Sequence, residues 1–334
     1  MGNISKQVKR PLQLKPLFIG RMKELLGNEQ EFNKYIKAIN QPGIKSIRCN
    51  TLKISPEELK KRLTNKGWKI SQPFLNQGHP EVMIIENQLE PGEIGRSLEH
   101  LLGYYYVQEI SSMLPVIILN PEQGETILDL CAAPGSKTTQ ASAMMKNTGL
   151  IVANEVKLDR IRILASNTNK CGCSNLIITK RDGISLCKNL SKVRPEIKFD
   201  KILIDAPCSG EGTLKSKPKT AQMWNIKTVK SLPRLQKALV YAALEILKPN
   251  GEILYSTCTH APEENEEVIN AIINTPELKS KIKIENISLP LKCAQGITCW
   301  QGNKFSKELA KTCRIYPHES NTEGFFLAKL KKVK

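Results

Sequence analysis

The sequence predicts an α/β fold in which a large domain with a mostly parallel sheet follows a smaller α/β region. Two observations support this. Apolar strand candidates recur beyond about residue 98, as TILDLC, LIVANE, LIITKRD, KILIDAP, EILYSTC, KIKIENI and FFLAKL. Helical stretches such as KLDRIRILASNTNKC and KSLPRLQKALVYAALEILK separate most of them. Strands that alternate with helices favour a mostly parallel sheet with helices on both faces.

Residues 1–97 are predicted to form the small region, and residues 98–334 the large domain. The small region has a strand candidate, SIRCNTLK, followed by the helical SPEELKKRLTNKGWKI. In that helix Ser55 and Glu58 form a capping box, with Pro56 in the first helical position. A further strand, EVMIIE, follows. We expect the large domain to begin with a helix in YYVQEISSMLPVIIL.

The charge of the chain indicates a polyanionic partner. The chain has 334 residues and a formal net charge of +18, and such an excess attracts nucleic acid. A lysine-rich proteome is the alternative explanation. No Asp or Glu occurs between Gly212 and Leu244, although that stretch is rich in basic residues. They are Lys215, Lys217, Lys219, Lys227, Lys230, Arg234 and Lys237. This local clustering favours RNA contact, and we expect Lys215, Lys217 and Lys219 to take part in it.

The cysteines and the apolar runs suggest a cytoplasmic protein. The ten cysteines are scattered and form no CxxC motif, which is typical of a reducing compartment. No apolar run reaches the length of a membrane span. The basic stretch SKQVKRPLQLK lacks the apolar segment of a signal peptide.

Acidic residues follow several predicted strands of the large domain. The first strand leads into LDLCAAPGSKTTQ, a tight turn around Gly135, and later strands end at Glu155, Asp182 and Asp205. In such sheets ligands bind beyond the carboxyl ends of the strands. A phosphate loop is excluded because Leu130 replaces its first glycine and because acids repel phosphate. Carboxylates suit ribose hydroxyls, an adenine amino group and positive charge, which together describe S-adenosylmethionine.

Two cysteines also stand at predicted strand ends, Cys208 in DAPCSGEGT and Cys258 in YSTCT. These motifs and LDLCAAPGSKTTQ resemble, in this order and spacing, motifs of the Nop/Sun family of RNA cytosine-C5 methyltransferases. The resemblance extends from RCNTLK through YYVQEISSMLP to TCRIYPHESNTEGFFLAKLKK. It implies a Rossmann-like methyltransferase core that uses S-adenosylmethionine, preceded by a small RRM-like RNA-binding region.

The resemblance also implies roles for individual residues. Cys258 would be the nucleophile that adds to cytosine C6, and Cys208 would assist product release. A thiolate suits this attack, which makes the poorly nucleophilic C5 enamine-like. Asp205 would hold the base near N3 and N4, with Lys137 in the catalytic set. Glu155 would take the ribose and Asp182 the adenine of the cofactor. The other implied cofactor residues are Cys131, Ala132, Ala133, Pro134, Gly135, Ser136, Lys137, Arg160 and Asp205.

The sequence is compatible with several alternatives. DNA cytosine methyltransferases use the cysteine after proline as nucleophile and would not need Cys258. A zinc deaminase would match His79-Pro80-Glu81 and Pro207-Cys208, but Glu211 replaces its second cysteine ligand, so we expect no metal site. An RNA-binding assembly factor without turnover is the third alternative. The short N-terminal region favours tRNA as substrate, whereas TCRIYPHESNTEGFF resembles the ribosomal branch and keeps rRNA open.

Overall fold

A computed structural model describes residues 11–333 of the chain. It begins with two helices, α1 (Pro16–Leu26) and α2 (Glu29–Asn40). The side chain of Asn28 caps α2 by accepting a hydrogen bond from the Glu31 amide at 2.8 Å. The buried faces of both helices pack against Trp224 and its neighbours in the large domain. These helices are therefore part of the wall of the large domain, although they come first in sequence.

The small region is an antiparallel sheet with the strand order β2-β3-β1-β4. Its strands are β1 (Lys45–Cys49), β2 (Ile70–Ser71), β3 (Val82–Ile85) and β4 (Tyr105–Val107). Its helices are α3 (Pro56–Asn65), α4 (Glu93–Arg96) and α5 (Leu98–Leu101). Leu59 and Leu63 of α3 pack on the sheet. Ser55 caps α3 as predicted, because its hydroxyl accepts a hydrogen bond from the Glu58 amide at 3.2 Å, which is one of the two bonds of a capping box.

The segment YYVQEISSMLPVIIL differs from the expected helix. Its first part is strand β4, which pairs with β1 through Ile47 opposite Val107, and helix α6 begins only at Ile110 and ends at Leu119. Tyrosine and valine fit a pleated surface better than a helix when a partner strand is available. The small sheet consequently extends past residue 97 to Val107.

The large domain contains the remaining helices and strands. Its strands are β5 (Thr126–Asp129), β6 (Leu150–Asn154), β7 (Leu176–Thr179), β8 (Phe199–Asp205), β9 (Leu247–Thr257), β10 (Ile282–Glu285), β11 (Ala294–Gln295), β12 (Cys299–Trp300), β13 (Asn303–Lys304), β14 (Cys313–Ile315) and β15 (Phe325–Lys332). Its helices are α7 (Ser136–Met144), α8 (Leu158–Cys171), α9 (Gly183–Val193), α10 (Lys219–Met223), α11 (Ile226–Glu245), α12 (Glu266–Ile273) and α13 (Pro317–Ser320). Short 3₁₀ helices occur at Leu75–Gln77, Glu211–Thr213 and Lys307–Lys311.

The main sheet has the order β11-β14-β15-β9-β8-β5-β6-β7, with β10 beside β15. Strands β5 to β9 are parallel, whereas β15 runs antiparallel to both of its neighbours, β9 and β14. Helices α6 and α7 pack on one face and α9, α11 and α12 on the other. The expected α/β class is confirmed. The strand order reverses between β5 and β8, so a crevice opens beyond the carboxyl ends of these strands.

No helix among residues 11–333 combines the length and the apolar character needed to cross a lipid bilayer.

Candidate active site

A cavity of about 660 Å³ lies beyond the carboxyl ends of β5, β8 and β9. Segments distant in sequence form its wall, among them the small sheet and the loop before β15. Its lining includes Tyr106, Glu109, Ser112, Asp129, Cys131, Ala132, Ala133, Pro134, Ser136, Lys137, Asp205, Ser216, Lys217, Cys258, Glu323 and Phe325. The cavity thus joins the loop predicted to hold the cofactor to one of the two predicted catalytic cysteines.

The turn after β5 requires a glycine at position 135. Gly135 has φ = +101° and caps the first turn of α7, a conformation that side chains disfavour. A Cβ atom on Gly135 would also lie 2.9 Å from Cδ1 of Leu164. The turn therefore presents the free amides of α7 directly beneath the cavity.

Asn154 ties together the ends of three neighbouring strands. Its Nδ2 atom donates to the carbonyl of Leu130 at 3.2 Å and to that of Arg181 at 3.1 Å. Its Oδ1 accepts from the Thr179 hydroxyl at 2.9 Å. Leu130 immediately precedes Cys131, and Arg181 immediately precedes Asp182. Cys131, Glu155 and Asp182 therefore share one edge of the sheet.

The acids of that edge differ in how they are held. Glu155 is buried, and its Oε1 accepts from the amides of Val156 and Lys157 at 2.9 and 3.0 Å. Arg160 lies 2.9 Å from Glu155 Oε2 and also donates to the carbonyl of Ala133, so it connects the acid to the cofactor loop. Asp182 is exposed and caps α9. Gly135, Glu155, Arg160 and Asp182 all lie outside the lining of the cavity.

Asp205 and Lys137 form an ion pair inside the cavity. The Lys137 Nζ atom lies 2.7 Å from Asp205 Oδ2 and 3.1 Å from the Ser112 hydroxyl. The Ser256 hydroxyl donates to Asp205 Oδ1 at 2.9 Å. The Lys137 side chain is only 8% exposed, so its charge is held close to the carboxylate. Both Asp205 oxygens thus have defined partners, and the carboxylate is fixed in orientation.

The two predicted catalytic cysteines are adjacent, with 3.3 Å between their Sγ atoms. Cys258 lines the cavity, whereas Cys208 lies outside its lining. The neighbouring Cys258 thiol, burial, and the acids Glu264 and Asp205 all raise the pKa of Cys208 well above its ordinary value. Cys208 is therefore held as a protonated thiol. Burial likewise raises the pKa of Cys131.

Glu264 was not identified from the sequence, yet it positions the loop of Cys208. Its Oε2 accepts from the Ser209 amide at 3.0 Å and from Gln236 at 2.9 Å. Gln236 also donates to the Pro207 carbonyl at 2.9 Å. Burial raises the pKa of Glu264 to about 7. The motif YSTCTHAPEENEEVI contains Glu264, but no local pattern indicates that its side chain turns inward towards the loop of Cys208.

The three lysines predicted to contact RNA lie in different surroundings. Lys215 is buried, and its ammonium donates to Asn321 Oδ1 at 2.6 Å. It is committed to the loop before β15 and is not presented to an external phosphate, contrary to expectation. Lys217 and Lys219 are exposed, and Lys217 lines the cavity. The acidic Glu211 also faces inward, where it accepts from the Trp224 indole at 2.7 Å.

Arg48 connects the small sheet to the cofactor loop, a contact that sequence reasoning did not identify. Its Nη1 atom donates to the Ser136 carbonyl at 2.6 Å, and its Nη2 atom to the Thr139 hydroxyl at 2.8 Å. It also contacts the Gln108 side chain, and its guanidinium lies 5.4 Å from the Tyr106 ring centroid. The first turn of α7 is thus braced from the small region.

The donor set of the site fits S-adenosylmethionine. Buried Asp129 keeps its Oδ1 atom without a hydrogen-bond partner among residues 11–333, and burial raises its pKa to about 6. Asp129 and Asp205 supply carboxylates for a positively charged ligand, and Glu155 and Asp182 carry acceptors at the adjoining strand ends. A parallel sheet with this glycine turn and these acids defines the class of Rossmann-like methyltransferases.

Comparison with known families places the chain within that class. A family model described as 16S rRNA methyltransferase RsmB/F matches residues 116–331. A second model, the N-terminal domain of 16S rRNA methyltransferase RsmF, matches residues 14–110. The chain therefore belongs to the RsmB/F family of RNA cytosine-C5 methyltransferases, which use S-adenosylmethionine as methyl donor. The resemblance to Nop/Sun enzymes and the expected cofactor are confirmed.

Individual relatives are similar over most of the chain. A tRNA (cytosine(49)-C(5))-methyltransferase of Pyrococcus abyssi is 38% identical over 92% of this chain and 93% of its own length. The ribosomal RNA small subunit methyltransferase F of Erwinia tasmaniensis is 34% identical over 95% of this chain. This chain spans only 63% of that relative's length.

Solved structures show the same similarity. A methyltransferase homologue from Pyrococcus horikoshii superimposes with a TM-score of 0.81 at 33% identity, covering 96% of both chains. NSun6 of the same organism, solved with SFG, gives a TM-score of 0.78 at 25% identity, covering 97% of this chain and 100% of its own.

Proposed function

We propose that this protein methylates C5 of a cytosine in tRNA through a covalent bond between Cys258 and C6 of the base. The observation that carries the proposal is the adjacency of Cys258 and Cys208, 3.3 Å apart at the ends of β9 and β8, beside the cofactor loop. The Cys258 thiol opens into the cavity, and the Cys208 thiol lies next to it. This arrangement suits a mechanism in which one cysteine attaches to the base and the other assists release of the product.

The chemistry begins at Cys258. Its thiolate forms the Sγ–C6 bond, and the electron pair of the C5–C6 double bond moves towards N3 and O2. C5 then acts as an enamine carbon and accepts the methyl group that bound S-adenosylmethionine supplies. Asp205, fixed by Lys137 and Ser256, faces the cavity and would hold the base edge near N3 and N4. Loss of the C5 proton and cleavage of Sγ–C6 complete the reaction.

The environment of Cys208 supports its assignment to product release. Because its pKa is raised well above the ordinary value, Cys208 keeps its proton and is a poor nucleophile. A protonated thiol 3.3 Å from Cys258 Sγ can donate a hydrogen bond to the departing thiolate and so stabilise it as it leaves C6. This division of roles differs from that of DNA cytosine methyltransferases, in which the cysteine after proline attacks the base.

The cofactor would bind along the loop from Cys131 to Lys137 and continue to the rim acids. We assign the ribose to Glu155 and the adenine to Asp182, with Arg160 holding Glu155 and Ala133 in place. The RNA would be held by the small N-terminal region and by exposed Lys217 and Lys219. Lys217 lines the cavity beside Cys258, where the backbone of a flipped nucleotide has to pass.

The choice of tRNA is supported by sequence identity. The tRNA methyltransferase of Pyrococcus abyssi is 38% identical to this chain, whereas the rRNA methyltransferase F of Erwinia tasmaniensis is 34% identical. Incubation with unmodified tRNA and, separately, with 16S rRNA, followed by bisulfite sequencing, tests this choice. A new 5-methylcytosine in rRNA alone would favour the ribosomal substrate, and none in either RNA would favour a non-catalytic assembly factor.

The mechanism is tested with two variants. Cys258→Ala should abolish methyl transfer, because Cys258 is the proposed nucleophile and Cys131, the other cysteine of the cavity lining, belongs to the cofactor loop. Cys208→Ala should still attach and methylate the base but release it slowly, leaving protein linked to RNA. A denaturing gel with labelled RNA and S-adenosylmethionine detects the linked species.

Cys299→Ala is the matched control, since Cys299 is exposed on β12. It should behave as the parent protein does. A covalent band with Cys258→Ala, together with none for Cys208→Ala, would reverse the two roles.

A further inference from the structure

The segment after Cys258 contains two consecutive polar residues, Glu264 and Asn265, that are fully buried. They lie in the turn that leads into α12. Neither side chain lines the cavity, so neither is placed to touch a base bound there. Each side chain instead belongs to a set of hydrogen bonds that surrounds one of the two cysteines of the site.

The bonds of Glu264 hold both peptide units of Cys208. Its Oε2 atom accepts from the Ser209 amide at 3.0 Å and from Nε2 of Gln236 at 2.9 Å. The same Gln236 nitrogen donates to the Pro207 carbonyl at 2.9 Å. Pro207 and Ser209 flank Cys208 in the chain. The peptide units before and after Cys208 are therefore fixed by one carboxylate oxygen and one amide nitrogen.

The bonds of Asn265 surround Cys258 in the same way. The Thr257 hydroxyl donates to Asn265 Oδ1 at 2.6 Å, and Asn265 Nδ2 donates to the Thr259 carbonyl at 3.0 Å. Thr257 and Thr259 flank Cys258 in the chain and are both buried. An amide that is engaged through its oxygen and its nitrogen has one defined orientation, so Asn265 fixes the backbone on either side of Cys258.

The two sets of hydrogen bonds are joined to each other. Glu264 and Asn265 share a peptide bond, which keeps their Cα atoms about 3.8 Å apart. The hydroxyls of Ser209 and Thr259 are also hydrogen-bonded, at 2.8 Å. The Glu264 carbonyl accepts from the Tyr255 hydroxyl at 2.6 Å, which attaches the turn to β9. The 3.3 Å between the two thiols thus depends on a pair of residues that lies behind both loops.

We propose that Glu264 and Asn265 are positioning residues, Glu264 for the step assigned to Cys208 and Asn265 for the step assigned to Cys258. The inference rests on the proposed function and extends it to residues that do not touch the base. Loss of Glu264 displaces the thiol that assists release, whereas loss of Asn265 displaces the nucleophile. A displacement of about 1 Å can slow a reaction by about 10²-fold, so each loss should slow its own step.

Glu264→Met tests the first assignment. Methionine keeps the length of the side chain, but the Ser209 amide and Gln236 lose their acceptor. In a single turnover with methyl-labelled S-adenosylmethionine, the label should enter the RNA at the parent's rate. The protein-linked RNA band on a denaturing gel should then disappear about 10- to 10²-fold more slowly than in the parent. Glu264→Gln keeps an acceptor oxygen and should restore release.

Asn265→Leu tests the second assignment, because leucine has a similar volume and makes neither bond. Formation of the linked species and methyl incorporation should both slow by about 10- to 10²-fold, and linked RNA should not accumulate. Asn265→Asp keeps the acceptor for the Thr257 hydroxyl and loses the donor to the Thr259 carbonyl. It should slow the same step to a smaller extent.

Glu263→Gln is the matched control, since it changes the residue before Glu264. The Glu263 carboxylate accepts from Arg21 of α1 at 2.7 and 2.9 Å. Among residues 11–333 it makes no hydrogen bond to the loop of either cysteine, so both rates should remain those of the parent. Titration calorimetry should show the parent's affinity for S-adenosylmethionine in every variant. Gln236→Met frees the Pro207 carbonyl by a second route and should slow release as Glu264→Met does, so the test does not depend on the folding of one variant.

The outcomes are distinct. If the Glu264 and Asn265 variants slow the same step, or if Glu263→Gln also slows release, the effect is a general loss of stability and the inference is overturned. Unchanged rates in both sets of variants overturn it equally. A parent protein that neither methylates RNA nor forms the linked species would refute the proposed function itself.

Discussion

Replacing Arg48 by methionine should destabilise the protein and weaken its cofactor site. Arg48 belongs to β1 of the small sheet, but its guanidinium bonds to Ser136 and Thr139 in the first turn of α7. Methionine keeps most of the side-chain volume and loses every donor. Ser136 lines the cavity, so the brace acts on the segment predicted to hold S-adenosylmethionine.

The magnitude follows from the two bonds to α7. Hydrogen bonds from a charged donor contribute about 1.5 to 3 kcal/mol each, so about 3 to 6 kcal/mol of interaction is lost. The methionine side chain is apolar and fills most of the same buried space, and apolar replacement of a buried charge offsets part of this loss. We expect a net loss of about 1 to 3 kcal/mol in the free energy of unfolding. Urea denaturation measures this loss.

The same variant should bind S-adenosylmethionine about tenfold more weakly, a change of about 1.4 kcal/mol, because the first turn of α7 loses its brace. Titration calorimetry measures this change. Arg62→Met provides the matched control. Arg62 also belongs to the small region and lies over a tyrosine ring, at 5.5 Å from Tyr104, but it is partly exposed and pairs loosely with Glu99 at 3.6 Å.

Arg62→Met should cost at most about 1 kcal/mol and leave cofactor affinity unchanged. If Arg48→Met and Arg62→Met lose equal stability, or if both bind the cofactor as the parent does, Arg48 does not brace α7.

Two further predictions concern RNA affinity and pH. Replacing exposed Lys217 and Lys219 together by Gln should flatten the slope of log RNA affinity against log salt by about 1.4 to 1.8, if each contacts one phosphate. Lys215→Gln should leave that slope unchanged, because the Lys215 ammonium is bound to Asn321. If Lys215→Gln flattens the slope as much as replacing Lys217 and Lys219 does, Lys215 contacts RNA and the structural assignment is wrong. Burial lowers the pKa of His260 to about 3, below its unfolded value, so folding stability should fall as pH decreases below about 6.5. Stability should fall by about 1.4 kcal/mol per pH unit. Denaturation of His260→Gln between about pH 6.5 and 4.5 should show a smaller fall, because this variant lacks the buried imidazole. If the parent and the variant lose stability equally with pH, His260 is not the source of the effect.

Local patterns in the sequence were sufficient to predict the fold class and many of the residues at the carboxyl ends of the parallel strands. Alternation of apolar strands with helices predicts the sheet because each strand must bury both faces and each helix one. The cap at Ser55 and the turn at Gly135 were readable for a similar reason, since they depend on few neighbouring residues. Cys131, Asp182 and Asp205 follow strand ends, and parallel strands carry their carboxyl ends to one edge.

Contacts between distant segments depended on tertiary packing. Tyr105–Val107 forms a strand because β1 is available beside it, although the surrounding sequence indicates a helix. Lys215 is buried because the loop before β15 supplies an acceptor, and composition cannot reveal that. Arg48 reaches α7 only after the small sheet has packed against the large domain. Side-chain type predicts what a residue can do, but packing determines which partners and which dielectric surroundings it has.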